Sequence, residues 1–178
     1  MITFLVRHGD AGAKGSWDGP DTERPLSPAG LDQAEGLVLR LEDYPVERIL
    51  CSPTVRCHQT IQPLARDRLL GIEPLAALGV DSGPSEILEL FWDRQLPNTV
   101  LCTHGETISR LFARLTGQGL VAPAPLVWPK GSAWLLKRTN RRQVHTRYLS
   151  PLALDRQLPT VHSFGVMLMR GPRHRVDR

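Results

Sequence analysis

Two apolar runs in this chain end on the same pair of residues. Ile2 to Val6 leads into Arg7, His8 and Gly9, and Leu96 to Thr103 leads into His104 and Gly105. A short apolar run that breaks into a glycine loop is the form of a buried parallel strand entering its crossover. In open sheets of that kind, ligands collect outside the carboxyl ends of the strands. A chain that uses the device twice is constrained to bring two imidazoles to one edge of one sheet.

The remaining segments supply the elements of such a sheet. After a polar loop from Asp10 to Pro25, Ser27-Pro28 reads as a helix cap with proline in the first turn. Leu31, Ala34, Val38 and Leu41 recur at helical spacing and predict a helix over 28–43, closed by Pro45. A strand is expected over 46–51. Ser52-Pro53 repeats the cap pattern and predicts a second helix reaching residue 70, kinked or broken near Thr60 by Pro63. Residues 72–75 read as a strand, 85–95 as a helix and 98–103 as a strand. Ile108, Leu111, Phe112 and Leu115 form a helical stripe that predicts a helix over 106–117. A loop rich in Pro and Gly over 117–129 precedes two strands, 132–137 and 143–149, joined through Thr139-Asn140 as a hairpin. The alternation predicts an α/β fold, a three-layer α/β/α sandwich whose mostly parallel sheet has helices on both faces. Residues 1–150 are expected to form one domain. Residues 151–178 are expected to extend it, with 161–169 an edge strand or an irregular packed extension, and disorder over 171–178.

Composition narrows the class. The chain is 41% hydrophobic and 22% charged, as in an ordinary soluble globule. No apolar run reaches the roughly 20 residues of a membrane span, and no basic, apolar leader opens the chain. Cys51, Cys57 and Cys102 form no C-x-x-C, so buried reduced thiols and a cytoplasmic location are expected. The net charge of +4 is carried by 19 Arg against 3 Lys. Arginine offers a planar fork suited to phosphate oxygens. Arg138, Arg141, Arg142 and Arg147, and the arginines near the end of the chain, read as a solvated hairpin and a basic tail. Without interleaved aromatics or a known module they do not point to nucleic acid.

Arg7, His8, Arg56 and His104 all come after strand ends or sit in the first turn of a helix. A helix N-terminus already favours anions, and an arginine there favours a phosphate. Arginine forks neutralise a phosphomonoester and hold the charge of its transition state. A neutral imidazole attacks phosphorus well and leaves again. A carboxylate ligand would fit the same donors. A metal at His8 and His104 is disfavoured, because Arg7 and Arg56 would repel a cation and no further ligands complete a set. No cofactor is expected. His58, His145, His162 and His174 lack such context and read as surface or packing residues.

The segments R-H-G-D-A at 7–11, R-P-L-S-P-A-G at 24–30, C-S-P-T-V-R-C-H-Q-T at 51–60 and T-H-G-E at 103–106 resemble the histidine phosphatase superfamily. The opening motif and the short insert region resemble its small SixA-type branch of phosphohistidine phosphatases. Leu5 to Leu136 is also similar to the phosphatase half of certain two-domain MutT (Nudix) proteins, through R-C-H-Q-T and P-K-G-S-A-W, although no Nudix motif is present. The resemblance implies a phosphoglycerate mutase-like fold over residues 1–150. It implies that His8 is the phosphorylated nucleophile and that Arg7, Arg56 and His104 complete the phosphate pocket. Gly9 and Lys14 are expected beside the substrate, Lys14 on a loop over 12–25 that also carries Trp17 and Asp18. Arg24 is expected to turn toward the phosphate, or else to pair with Asp21 or Glu23. Larger members of the superfamily carry an acid in an L-x-E stretch that protonates the leaving oxygen. The matching P-L-A-A-L-G-V-D-S lacks it, which leaves Asp81 and Glu106 as candidate acids, with Glu86 behind them; each also reads as an exposed carboxylate. That absence suits a phosphoramidate, so a protein phosphohistidine is the expected substrate. A small phosphomonoester, nucleotides included, is the alternative substrate, and a phosphate-recognition module without activity the alternative class.

Overall fold

The first strand, β1 (Ile2–Arg7), buries both of its faces, as a central strand of a covered sheet must. Phe4 and Val6 point into one apolar cluster and Leu5 into another, all three fully buried. The computed structural model describes residues 2–93, 96, 98–121, 126–140 and 143–152. The other strands are β2 (Arg48–Cys51), β3 (Ile72–Pro74), β4 (Thr99–Thr103), β5 (Ala133–Asn140) and β6 (Gln143–Leu149). The helices are α1 (Pro28–Arg40), α2 (Val55–Arg68), α3 (Pro84–Trp92) and α4 (Gly105–Gly117). The sheet order is β3-β2-β4-β1-β5-β6. The first four strands in chain order are parallel, and β5 and β6 close the sheet antiparallel. Helices α1 and α2 pack with Phe4, Val6, Ile49, Val100 and Cys102 on one face. Helices α3 and α4 pack with Leu5, Leu50, Leu101 and Leu136 on the other. This is the expected three-layer α/β/α sandwich.

The strand order creates a crevice. From β1 the chain turns over one face toward β2, and from β4 it turns over the opposite face toward β5. Neighbouring β1 and β4 therefore send their loops apart, the arrangement that opens a binding site at a switch point. The register pairs Arg7 with Thr103 and Cys51 with Cys102, so β1 and β4 end level and β2 ends one residue short of them. His8, His104 and Ser52 are the next residues on each.

Several boundaries differ from the expectation for local reasons. Helix α1 stops at Arg40, and residues 41–44 form turns instead of a last helical turn before Pro45. Ser52 does not cap α2; the helix starts at Val55 with Thr54 in the cap position and no side-chain cap bond. The Ser52 hydroxyl is committed elsewhere, to His104. Pro63 neither breaks nor ends α2, which runs unbroken through it. A proline in a helix interior costs about 3 kcal/mol. Here Pro63 is buried beside Ile61 and Leu64, and burying two such side chains is worth about that much or more. Thr139 and Asn140 belong to β5, and Asn140 pairs with Gln143 on β6. The expected edge strand or packed extension over 161–169 and the disordered end over 171–178 lie outside the described residues. Cys51, Cys57 and Cys102 are buried and unbonded to one another. No helix among the described residues is long and apolar enough to cross a membrane.

Candidate active site

His8 is held from three sides before its ring does anything. Its amide donates to Thr103 O at 3.0 Å, and its carbonyl accepts from Gly131 N at 3.0 Å. The next amide, Gly9 N, donates to Thr60 Oγ1 at 2.9 Å. Thr60 in turn donates to Arg56 O at 2.6 Å, which ties the end of β1 to the first turn of α2. The His8 ring is 6% exposed, and its Nδ1 lies 2.8 Å from Gly9 O. A carbonyl only accepts, so the ring hydrogen sits on Nδ1 and Nε2 keeps its lone pair. Burial, with the positive fields of His104 and Arg56 added, pushes the His8 pKa from 6.5 down to about 4. At neutral pH the ring is an uncharged base.

Gly9 is a close-approach glycine. A Cβ there would stand 2.8 Å from Gly30 O, and one on Gly30 would stand 2.0 Å from Asp10 O. The two glycines let the loop after β1 lie directly on the N-terminus of α1. Ser27 closes the joint: its Oγ accepts from Gly30 N and donates to Asp10 Oδ2 at 2.6 Å. Lys130 Nζ lies 2.6 Å from the other Asp10 oxygen, and these two partners hold the Asp10 carboxyl well below the usual carboxylate range.

His104 faces His8 across the crevice, with ring centroids 5.2 Å apart at 63°. It is 1% exposed and precedes α4 as its cap residue. Arg56 Nη2 lies 3.4 Å from His104 Nδ1, and a guanidinium only donates, so Nδ1 is the acceptor. The hydrogen on Nε2 then goes to Ser52 Oγ at 2.9 Å. Ser52 thus fixes which edge of the ring faces Arg56.

The two arginines arrive by different routes. Arg7, the last residue of β1, donates from Nη1 to Trp128 O at 2.7 Å. Its guanidinium lies flat under α4, where a Cβ on Gly105 would stand 2.9 Å from Arg7 Cζ. Arg56, one turn into α2, is 3% exposed. Its Nη1 donates to Asp21 O, and its Nη2 lies 3.2 Å from the Asp21 carboxylate. Both arginines keep a buried Nε with no hydrogen-bond partner. Such donors are costly to leave unmade, and an anion would satisfy them.

Arg24 does not point at the imidazoles. Its Nε lies 2.9 Å from the Asp21 carboxylate and its Nη1 donates to Ala11 O and Gly12 O, so it fastens the loop. This is the pairing with Asp21 that the sequence offered as the second option. Lys14, Asp21, Ser52, Arg56 and Asp81 all border an adjoining cleft of about 1350 Å³. Trp17 and Asp18 are exposed on the loop, and Trp17 Nε1 donates to Pro20 O. Glu106 is exposed in the first turn of α4. Its own amide, then the fields of Arg7 and the two histidines, lower its pKa below the usual value. His58 and His145 are exposed, as expected, while His162 and His174 lie outside the described residues. Among the described residues no group of three or more His, Cys, Asp and Glu could hold a metal ion. Sequence reasoning missed Thr60, Ser52, Asp21 and Trp128. Ser52 and Thr60 lie inside the C-S-P-T-V-R-C-H-Q-T motif and were legible as its companions. A backbone carbonyl such as Trp128 O leaves no sequence signal.

Comparison with known proteins agrees with this geometry. Residues 3–79 match the model of the histidine phosphatase superfamily (branch 1). The chain is 36% identical over 153 residues to the 8-oxo-(d)GTP phosphatase of Mycolicibacterium smegmatis, across 83% of this chain and 48% of that protein. The chain thus spans about half the length of that relative. It is 26% identical over 125 residues to the phosphohistidine phosphatase SixA of Escherichia coli, across 65% of this chain and 74% of that one. The solved structure of the protein histidine phosphatase SixA complexed with tungstate superposes with a TM-score of 0.68 at 20% identity. That alignment covers 85% of this chain and 97% of SixA. With its R-H-G strand end, its buried arginines and the facing second histidine, the chain resembles the histidine phosphatase superfamily, whose model it matches over residues 3–79.

Proposed function

We propose that this chain is a phosphatase that works through a covalent phosphohistidine on His8 Nε2. The observation that carries the reading is the hydrogen bond from His8 Nδ1 to Gly9 O, with a pKa near 4. Together they present an uncharged nitrogen lone pair at neutral pH, beside arginine N–H groups without acceptors. In the first step the Nε2 lone pair forms a bond to phosphorus as the bond to the leaving group breaks. Arg7 and Arg56 stabilise the phosphoryl oxygens through their N–H groups, with His104 lining the pocket beside them. In the second step water adds to phosphorus, orthophosphate departs, and the lone pair returns to Nε2.

The acid that would protonate the leaving group is the weak point of the site, and this selects the substrate. Glu106 is held ionised and has no proton to give at neutral pH. Asp81 borders the cleft but is exposed. A phosphorylated imidazole that is protonated on its other nitrogen departs as a neutral ring and needs no acid. Protein phosphohistidine is therefore the preferred substrate. The similarity to a protein named for 8-oxo-(d)GTP favours a second reading, a nucleoside phosphate in the same pocket.

The test is a rapid-quench experiment with a labelled aryl phosphate. Acid-labile, alkali-stable label on the wild-type chain and none on His8→Asn is the expected result. Full turnover by His8→Asn overturns the mechanism. A phosphohistidine carrier protein set against a panel of nucleoside phosphates then decides between the two substrates.

A further inference from the structure

The cleft that opens beside Arg56 and Ser52 is lined by more carboxylates than cations, with Lys14 and Arg56 its basic residues. Its outer wall is formed by α3 and the turn before it. Glu86 and Glu89 stand three residues apart on one side of that helix, and Asp81 lies in the preceding turn; all three are exposed and line the cleft. Leu88 and Trp92 supply apolar surface between them. The inner end is Arg56, 3% exposed, with a buried Nε that has no partner. A phosphoryl group satisfying that donor would leave the rest of its substrate lying along the carboxylates. A diphosphate or triphosphate chain placed there would meet like charge, whereas arginine or lysine side chains would meet opposite charge.

We infer that this cleft receives the polypeptide that carries the phosphorylated imidazole, and that the residues flanking that imidazole are basic. The inference rests on the phosphatase reading above and adds a charge preference that the His8 chemistry does not require. Three exposed carboxylates acting on flanking cations give about a tenfold preference in KM.

Two phosphohistidine peptides of equal length test it, one with arginines beside the phosphorylated residue and one with glutamates. The readout is the ratio of their kcat/KM values on one enzyme preparation, which cancels any loss of folded or active protein. The wild-type ratio is expected to be about ten in favour of arginine. In Glu86→Lys/Glu89→Lys it is expected to fall to one or below. Equal rates on both peptides, or a ratio unchanged in the double variant, overturns the inference while His8-dependent turnover of an aryl phosphate leaves the phosphatase reading standing. Faster wild-type turnover of a nucleoside diphosphate than of the arginine peptide also overturns it. No turnover of any phosphate overturns both.

Discussion

Acidification from about pH 7 to about pH 5 costs this protein about 2 kcal/mol of stability through His8 alone. The folded pKa of His8 is about 4 against an ordinary 6.5, chiefly because the ring is buried. The unfolded chain therefore takes up the proton first as pH falls. The contribution of His8 is complete above about pH 6.5, declines below it, and is gone once pH has fallen past about 4. Over the whole interval this amounts to about 3 kcal/mol, at 1.36 kcal/mol per pKa unit. The depressed carboxylates Asp10, Asp21, Glu73 and Glu106 begin to lose their contributions as pH falls through the ordinary carboxylate range, mostly below about pH 5, so the imidazole dominates the interval down to pH 5. The perturbation is His8→Asn, which keeps a donor near Nδ1 for Gly9 O and removes the titration. Urea unfolding of both proteins at the two pH values gives the difference in slope. If wild type and variant lose the same stability, or if NMR titration places the His8 pKa at 6.5 or above, the neutral buried nucleophile is refuted.

The packing sets three further outcomes. Gly105→Ala pushes a methyl into the Arg7 guanidinium at 2.9 Å, a flexible group that can move. Catalytic efficiency falls about 100-fold while stability changes by less than about 1 kcal/mol, measured by aryl phosphate kinetics and urea unfolding. Gly30→Ala places its methyl 2.0 Å from Asp10 O, which is backbone and cannot move cheaply, so thermal unfolding shows a loss of about 3 kcal/mol. Asp21→Asn removes the carboxylate that now competes for Arg56, at 3.2 Å, and tightens inhibition by inorganic phosphate about fivefold. A weaker inhibition constant would mean that Asp21 positions Arg56 more than it blocks it.

Much of this site was legible because its residues sit where local rules place them. The apolar runs at 2–6 and 98–103 can only be buried strands, and the residues next after a buried strand in such a sheet lie at its carboxyl edge. That determined the places of Arg7, His8 and His104, and helical spacing placed Arg56 in the first turn of α2. The order of the strands, the level ends of β1 and β4, and the 5.2 Å between the imidazoles came only with the tertiary structure. These depend on pairings between residues about a hundred positions apart, whose free energy no local pattern records. The same holds for the details that set the chemistry. Ser27-Pro28 and Ser52-Pro53 look alike in sequence, yet one serine caps its helix and the other orients His104, because only the second ends beside an imidazole. Arg24 had two readings in sequence, a phosphate ligand or a partner of Asp21 or Glu23, and the fold put its Nε 2.9 Å from the Asp21 carboxylate. The two His-Gly strand ends determined that imidazoles would meet. Folding decided that His8 would keep a free nitrogen and that both nitrogens of His104 would be engaged, since a ring's tautomer is set by the donor or acceptor lying against each edge.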